Sequence, residues 1–336
     1  MKKITSSIIV FMLTLFLVVS FSLIGCKEEA APAAGEVQKE IAFIPPAMVS
    51  PYYAAMIDGK GGARDKAEEL GYKLTVLSPD REDNYEEQAR IMEDMINKGV
   101  DVICVSAINS DAIVAPVKKA NEAGIPVIVF TITYELPGGE IFAYSGYDNY
   151  EAGIVVGEYL KEISEGKEIK VGVLEGLPSS FTTDRTGGFL EAIEGAGNIE
   201  FIGSQPADWE REKGMNVTTN MLQANPEINA FYANSDEMIL GAAKAYEAIG
   251  KKAFQAGGEW GEEYVILMGL DGNPNAVEAV CNGEITSTLN VDPVQIGANT
   301  IIAADKAIKG EECEFVINTN PFIVDKSNCE EYRVEE

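Results

Sequence analysis

Histidine is absent from all 336 residues. That removes Ser-His-Asp and Cys-His catalysis and every histidine-ligated metal centre. The chain also lacks a CxxC pair, a Walker A loop and a GxGxxG turn, so the common dithiol and nucleotide-phosphate motifs are missing. Positive charge is scarce: 26 Lys and Arg stand against 54 Asp and Glu, a formal charge of −28. Phosphate contact needs clusters of Lys and Arg, so nucleic acid is not an expected partner. The acidic balance itself describes a solvated surface. No cofactor and no metal are expected. Carboxylates are plentiful, so a glycosidase-type acid pair is not excluded by inventory.

The amino terminus carries more information. Lys2 and Lys3 precede an apolar run over 8–23, broken only by Thr14, Ser20 and Ser22. A charged region, an apolar region and a cleavage region together describe a signal segment, 1–25, that takes no part in the fold. Its end, Leu23-Ile24-Gly25-Cys26, resembles the lipobox of bacterial lipoproteins, which implies diacylglycerol on the Cys26 thiol and cleavage before it. The alternative is a transmembrane anchor, since the run approaches the roughly 18 residues that a span needs. Both place the remaining chain outside the cytoplasm, held to the membrane or cell envelope. Residues 26–39 are small, charged and without apolar periodicity, and are expected to form a flexible tether reaching on the order of 40 Å. Cys104, within Val102-Ile103-Cys104-Val105, is expected to be a small buried hydrophobe. Cys281, Cys313 and Cys329 permit a disulfide, with the pairing open.

From residue 41 onward, short apolar runs alternate with amphipathic stretches. The runs lie at 41–44, 72–77, 102–105, 127–130, 171–174, 201–202, 230–232, 265–270 and 285–289. Rich in Val and Ile and not alternating, they suit parallel strands covered on both faces. Helices are expected over 51–70, 85–98, 111–123, 149–164, 184–196, 210–224, 236–249, 274–282 and 293–309, several ending at a glycine such as Gly99 or Gly310. Sustained strand–helix alternation predicts a doubly wound α/β architecture, and the length favours two such lobes over one long sheet. Ligands bind beyond the carboxyl ends of such strands.

At those ends stand residues with two readings each. Tyr52 and Tyr53 of Ser50-Pro51-Tyr52-Tyr53 offer flat faces and phenols for a sugar, or pack on the sheet. Arg185 could fork two hydrogen bonds onto adjacent hydroxyls, or form a surface ion pair. Trp209 could stack on a ring or cover the core. Asn234-Ser235-Asp236 opens a helix, where Ser235 or Asp236 also suits the N-cap. Asp271 could accept hydroxyl hydrogen bonds or cap the helix after it.

The order of these segments resembles the ribose-binding family of periplasmic sugar-binding proteins, which feed ABC transporters. The resemblance spans about 40–330 and rests on Ser50-Pro51-Tyr52-Tyr53, Leu70-Gly71-Tyr72, Ser110-Asp111-Ala112, Gly124-Ile125-Pro126-Val127-Ile128 and Asp148-Asn149. Further carriers are Arg185-Thr186-Gly187-Gly188-Phe189, Ser204-Gln205-Pro206-Ala207-Asp208-Trp209, Ser235-Asp236-Glu237-Met238, Leu270-Asp271-Gly272 and Gln295-Ile296-Gly297. It implies a type I periplasmic binding fold, with two Rossmann-like lobes joined by a three-strand hinge that crosses near Tyr147, Val291 and Asn320. The lobes would comprise 40–147 with 292–320, and 148–291 with 321–336. Carried over, the ligand contacts fall on Ser50, Tyr52, Tyr53, Thr131, Ile132, Arg185, Trp209, Ser235, Asp271 and Val291, with Asn234 and Asn290 as polar neighbours of the last departures.

The departures matter. Thr131-Ile132 stands where ribose binders place Asp-Arg, Ser235 replaces an Asn, and Val291 replaces a Gln. Each lost partner would leave a ribose hydroxyl unpaired at a cost of roughly 1–3 kcal/mol. A less hydroxylated or differently shaped molecule therefore fits better than ribose. The resemblance implies a monomeric, non-enzymatic, lipid-anchored binding protein that closes around a sugar-like ligand and presents it to ABC permease subunits. Competing readings are a receptor handing an autoinducer-like or nucleoside ligand to a membrane sensor, and a carboxylate-dependent extracellular hydrolase.

Overall fold

The computed structural model describes residues 38–133 and 136–334. The signal segment, Cys26 and all but the last two residues of the 26–39 tether lie outside the described residues.

Thirteen strands are described, in chain order. The first five are β1 (Glu40–Ile44), β2 (Lys73–Val76), β3 (Val102–Val105), β4 (Val127–Phe130) and β5 (Ala143–Gly146). Next come β6 (Ile169–Glu175), β7 (Ile199–Pro206), β8 (Ala230–Ala233), β9 (Lys252–Ala253), β10 (Tyr264–Asp271) and β11 (Ser287–Asn290), then β12 (Val316–Asn318) and β13 (Phe322–Asp325). They form two sheets. The first runs β12-β5-β4-β3-β1-β2 and is parallel throughout. The second runs β13-β11-β10-β8-β6-β7, with β9 also on β10 and β13 antiparallel to β11. In each sheet the first strand to enter (β1, β6) has the second on one side and the third on the other, so both sheets carry the same winding and the same topological switch point.

The Val/Ile runs become strands because both faces are covered: every residue of β3, β4 and β8 is buried. Burying such a side chain stabilises by roughly 1.5–3 kcal/mol. Buried aromatic rings stack within the cores, Phe43 on Phe130 at 4.3 Å and Phe189 on Tyr232 at 4.5 Å. Four strands, β5, β9, β12 and β13, are absent from the sequence-based expectation. Ala143-Tyr144-Ser145-Gly146 shows why: it is wholly buried yet carries no aliphatic run.

The helices follow their caps. Those expected at 85–98, 149–164, 274–282 and 293–309 stand at those bounds. Asn84 caps the first through Glu87 N, Asp148 the second through Tyr150 N and Glu151 N, and Asp292 the last through Gln295 N. The helix expected over 51–70 is instead two, α1 (Pro51–Asp58) and α2 (Ala63–Glu69). Between them Gly61 takes φ +84°, and each interior glycine costs a helix about 1 kcal/mol. The helix expected from 184 starts at Ser180, because Ser179 accepts a hydrogen bond from Thr182 N.

The chain passes between the sheets three times: after β5, after β11 and after β12. Thr319 laces these passages together. Its N–H donates to Gly146 O at 2.8 Å, and its hydroxyl donates to Val291 O at 2.9 Å and Gly146 O at 3.3 Å. The excursion from β11 to β13 is also closed covalently, by a Cys281–Cys329 disulfide with Cα atoms 5.6 Å apart; Cys104 is buried as a free thiol and Cys313 is half-buried and free. The bridge spans a sequence separation of 48, and loops of that size are stabilised by about 2–4 kcal/mol when cross-linked. Replacing both cysteines by serine is therefore expected to lower the unfolding free energy by that amount, read as a lower urea midpoint, with no further change on adding reductant. An unchanged midpoint would show that packing alone retains the carboxyl-terminal segment.

Candidate functional site

A cavity of about 340 Å³ lies between the carboxyl ends of the two sheets. Its walls come from the segments after β1, β2, β3 and β4 on one side, and β6, β7, β8 and β10 on the other. Both switch points thus open onto the same space, where neighbouring loops diverge and leave room for a ligand. The volume suits a small molecule.

On the first side, Pro51 starts α1 and sets Tyr52 and Tyr53 in its first turn. The rings meet edge to face, 5.0 Å apart. Tyr53 Oη lies 3.4 Å from Ser106 Oγ, which is 2.6 Å from Thr131 Oγ1, and Thr131 donates to Phe130 O. This hydroxyl chain fixes the Tyr53 ring from behind.

On the second side, Arg185 projects from the helix Ser180–Ile193 and is only 6% exposed. Its Nε donates to Asn149 Oδ1 at 2.9 Å, Nη1 to Asn234 O at 2.5 Å and Nη2 to Tyr147 Oη at 2.5 Å. Asp271 Oδ1 stands 3.7 Å from Nη1. The guanidinium lies against the Trp209 ring (5.6 Å) and the Tyr147 ring (5.8 Å). Trp209 sits over the end of β6 because residue 176 is glycine; a Cβ there would come within 2.0 Å of the indole. Three of five guanidinium hydrogens are committed, which leaves two for a ligand. Ser235 Oγ is buried with no protein partner among the described residues.

Backbone strain marks the same walls. Thr131 (φ 73°), Trp209 (φ 67°) and Asp271 (φ 143°) are three of the six described non-glycine residues with positive φ, and all three line the cavity. Such conformations cost about 1–3 kcal/mol each and persist where the surroundings hold them for function.

The electrostatics are acidic. Burial and the neighbouring Asp236 push the Asp271 carboxyl well above its usual range, while Arg185 pulls it back. Asp236, behind it, is raised to about 7 by burial, although Thr288 and the Asn273 N–H hydrogen-bond to it. Glu82 at the cavity wall is likewise raised to about 7, by burial and then by Glu210 across the opening.

Of the residues anticipated from sequence, Ser50, Tyr52, Tyr53, Thr131, Arg185, Trp209, Ser235 and Asp271 line the cavity together. Asn234 and Asn290 are not on its wall. The Asn234 amide oxygen is taken by Gly176 N and Thr186 Oγ1 behind Arg185, and Asn290 accepts from Asp292 N beneath Gly272. Ile132 and Val291 are buried and also off the wall. Other wall residues were not anticipated as contacts, Glu82, Asp83, Phe181 and Glu237 among them. The first two follow β2, a strand end where a charged loop was visible, but nothing local distinguished them from surface acids. Asn149, which bridges Arg185 to Thr131 O across the two sides at 2.9 and 3.3 Å, was noted only for its place in a motif.

Comparison with known proteins agrees with this geometry. A family model described as a periplasmic binding protein domain matches residues 41–312. The ribose import binding protein of Escherichia coli is 33% identical over 287 residues, covering 85% of this chain and 90% of the relative. The Bacillus subtilis ribose import binding protein is 29% identical and covers 95% and 97%. An ABC transporter periplasmic solute-binding protein from Actinobacillus succinogenes, solved with bound D-allose, superposes with a TM-score of 0.79 at 32% identity, covering 88% of this chain and all of that one. The two-lobed α/β fold, the cavity at its paired switch points and these relatives converge: the chain belongs to the ribose-binding family of periplasmic sugar-binding proteins.

Proposed function

We propose that this protein is a lipid-anchored, extracytoplasmic substrate-binding component of an ABC importer, reversibly holding a sugar or sugar-like molecule between its lobes. The observation that carries the reading is the convergence of Arg185 and Asp271 between Trp209 and the Tyr52–Tyr53 pair, in a cavity fed by both sheets. Aromatic faces cover the apolar CH faces of a ring, and the guanidinium and carboxylate share donors and acceptors with its hydroxyls. Ser50, Thr131 and Ser235 add single hydroxyls. The lobes, 40–147 with 292–320 and 148–291 with 321–336, turn about the three passages laced by Thr319, so that closure presents a defined surface to the permease. The relatives support the ligand class: two are named for ribose import, and one was solved with D-allose. Thr131, a single hydroxyl already bonded to Ser106 and Phe130 O, shifts preference away from ribose itself. Binding involves no bond cleavage, so glycosides incubated with the protein should be recovered intact.

Trp209→Ala and Asp271→Asn should each weaken calorimetric binding of the preferred sugar by about 2 kcal/mol, the scale of a lost aromatic contact or charged hydrogen bond. Arg185→Ala should cost more and also lower stability by about 3–5 kcal/mol, because it strands a buried carboxylate. Unchanged affinity in all three would remove the cavity as the binding site.

The anchor has its own test. On expression in a bacterial host the protein should incorporate labelled fatty acid and lose its signal segment, and Cys26→Ala should abolish both; a wild-type chain that takes up no label and keeps the segment would favour a spanning segment.

Stability without ligand should depend on pH. Glu82 and Asp236 hold protons up to about 7 in the folded chain, against about 4 when unfolded. The unfolded state binds fewer protons between these values, so stability falls as pH rises from about 4 to about 7. The melting temperature should drop over that interval, and Glu82→Gln should flatten the slope; an unaltered slope would contradict the assignment to Glu82.

A further inference from the structure

Four carboxylates reach the cavity wall: Glu82, Asp83, Glu237 and Asp271. Three have cationic partners. Asp83 holds Arg81 through two bonds of 2.8 and 2.9 Å, Glu237 holds Arg211 through two of 2.8 and 2.9 Å, and Asp271 faces Arg185. The remaining cation at the cleft opening, Lys213, is occupied by Asp208 and Glu210 at 2.9 and 2.7 Å. Glu82 has no hydrogen-bond donor or cation of its own among the described residues. It is half-buried beside Tyr53, and the charged group facing it from the second lobe is Glu210, another acid.

A carboxylate drawn into a cavity with every nearby cation already committed is an incomplete ion pair. The other polar fixtures of the cavity suit neutral hydroxyls: Arg185 and Asp271 balance one another, and Ser235 Oγ is buried and unpartnered. Among the described residues, Glu82 is the wall carboxylate without a cationic complement. An anionic ligand would add repulsion there. A neutral ring would supply a hydroxyl but no charge. An ammonium supplies charge and three donors together, and the aromatic wall of Tyr52, Tyr53 and Trp209 favours a cation nearby. Resting on the sugar-binding reading of this same cavity, we propose that its ligand is an amino-substituted sugar whose ammonium group pairs with Glu82. Its hydroxyls meet Arg185, Asp271 and Ser235, and its ring lies against Trp209. The Glu82 carboxyl is raised by burial and by Glu210, with no cation lowering it.

Calorimetry on the full chain near neutral pH, with the matched sets D-glucosamine, D-glucose and D-glucuronate and D-galactosamine, D-galactose and D-galacturonate, tests this. In at least one set the amino sugar should bind about tenfold tighter than its neutral parent, the scale of a charge-assisted hydrogen bond, with the uronate weakest. In Glu82→Gln the ratio of amino to neutral affinity should fall toward one, and in Glu82→Lys the order should shift toward the uronate. Neutral sugars binding as well as amino sugars, or a preference that survives Glu82→Gln, would overturn the inference while leaving sugar binding intact. Failure of every sugar, with D-ribose and D-allose added to the panel, would overturn both readings.

Discussion

The guanidinium of Arg185 is the constraint on which the site depends. A positive charge at 6% exposure is tolerated only where its donors are satisfied and an opposite charge stands near. Those requirements draw parts of the chain that are far apart in sequence to one point: Tyr147 from the first passage between sheets, Asn149 from the helix after it, the Asn234 carbonyl beyond β8 and Asp271 at the end of β10. Because Asn149 also donates to Thr131 O, the network extends from the second lobe into the first. Arg185 therefore organises the cavity as well as facing it, with three of its five donors committed to the protein.

A parallel sheet does little at its carboxyl ends except stop, and the fold exploits that twice. Each sheet reverses its winding beside its first strand, and the gaps left by the reversals face each other. The residues that close over the gap adopt backbone that the strands themselves do not: Thr131, Trp209 and Asp271 all have positive φ. Each is held by something specific. Thr131 is bound through Ser106 and Asn149, Trp209 lies over the bare backbone of Gly176, and Asp271 is set against the Asp236 N–H. Rigid strands thus set the positions, while strained junctions set the directions in which side chains point.

The degree to which this was legible differs by residue. Tyr52, Tyr53, Arg185, Trp209, Ser235 and Asp271 could be picked out because each stands in the loop or helix that follows an apolar run, where a doubly wound sheet must end. The interchange of Asn234 and Ser235 could not be resolved from sequence: adjacent residues at a helix start point in opposite directions, and the loop geometry sends Ser235 into the cavity and Asn234 behind Arg185. Asn290 failed for a similar reason, since its carboxamide turns back onto the Asp292 N–H. Glu82 carried no local signal at all. Its distinction is that the described cations at the cleft opening, Arg81, Arg211 and Lys213, are already engaged, which is a property of an assembly and of no single segment.

Periodicity, composition and the missing histidines were sufficient for the alternation of strands and helices, for the class of chemistry to discard and for the strand ends as the place to look. Those are short-range matters: side-chain volume, branching and capping act within a few residues of themselves. Strands such as Ala143–Gly146, the Cys281–Cys329 pairing, the knot of passages at Thr319 and the place of the Glu82 carboxyl on the cavity wall were settled only when distant segments met. Burial, covalent pairing and charge balance are sums over neighbours in space, and a linear sequence does not say who those neighbours are.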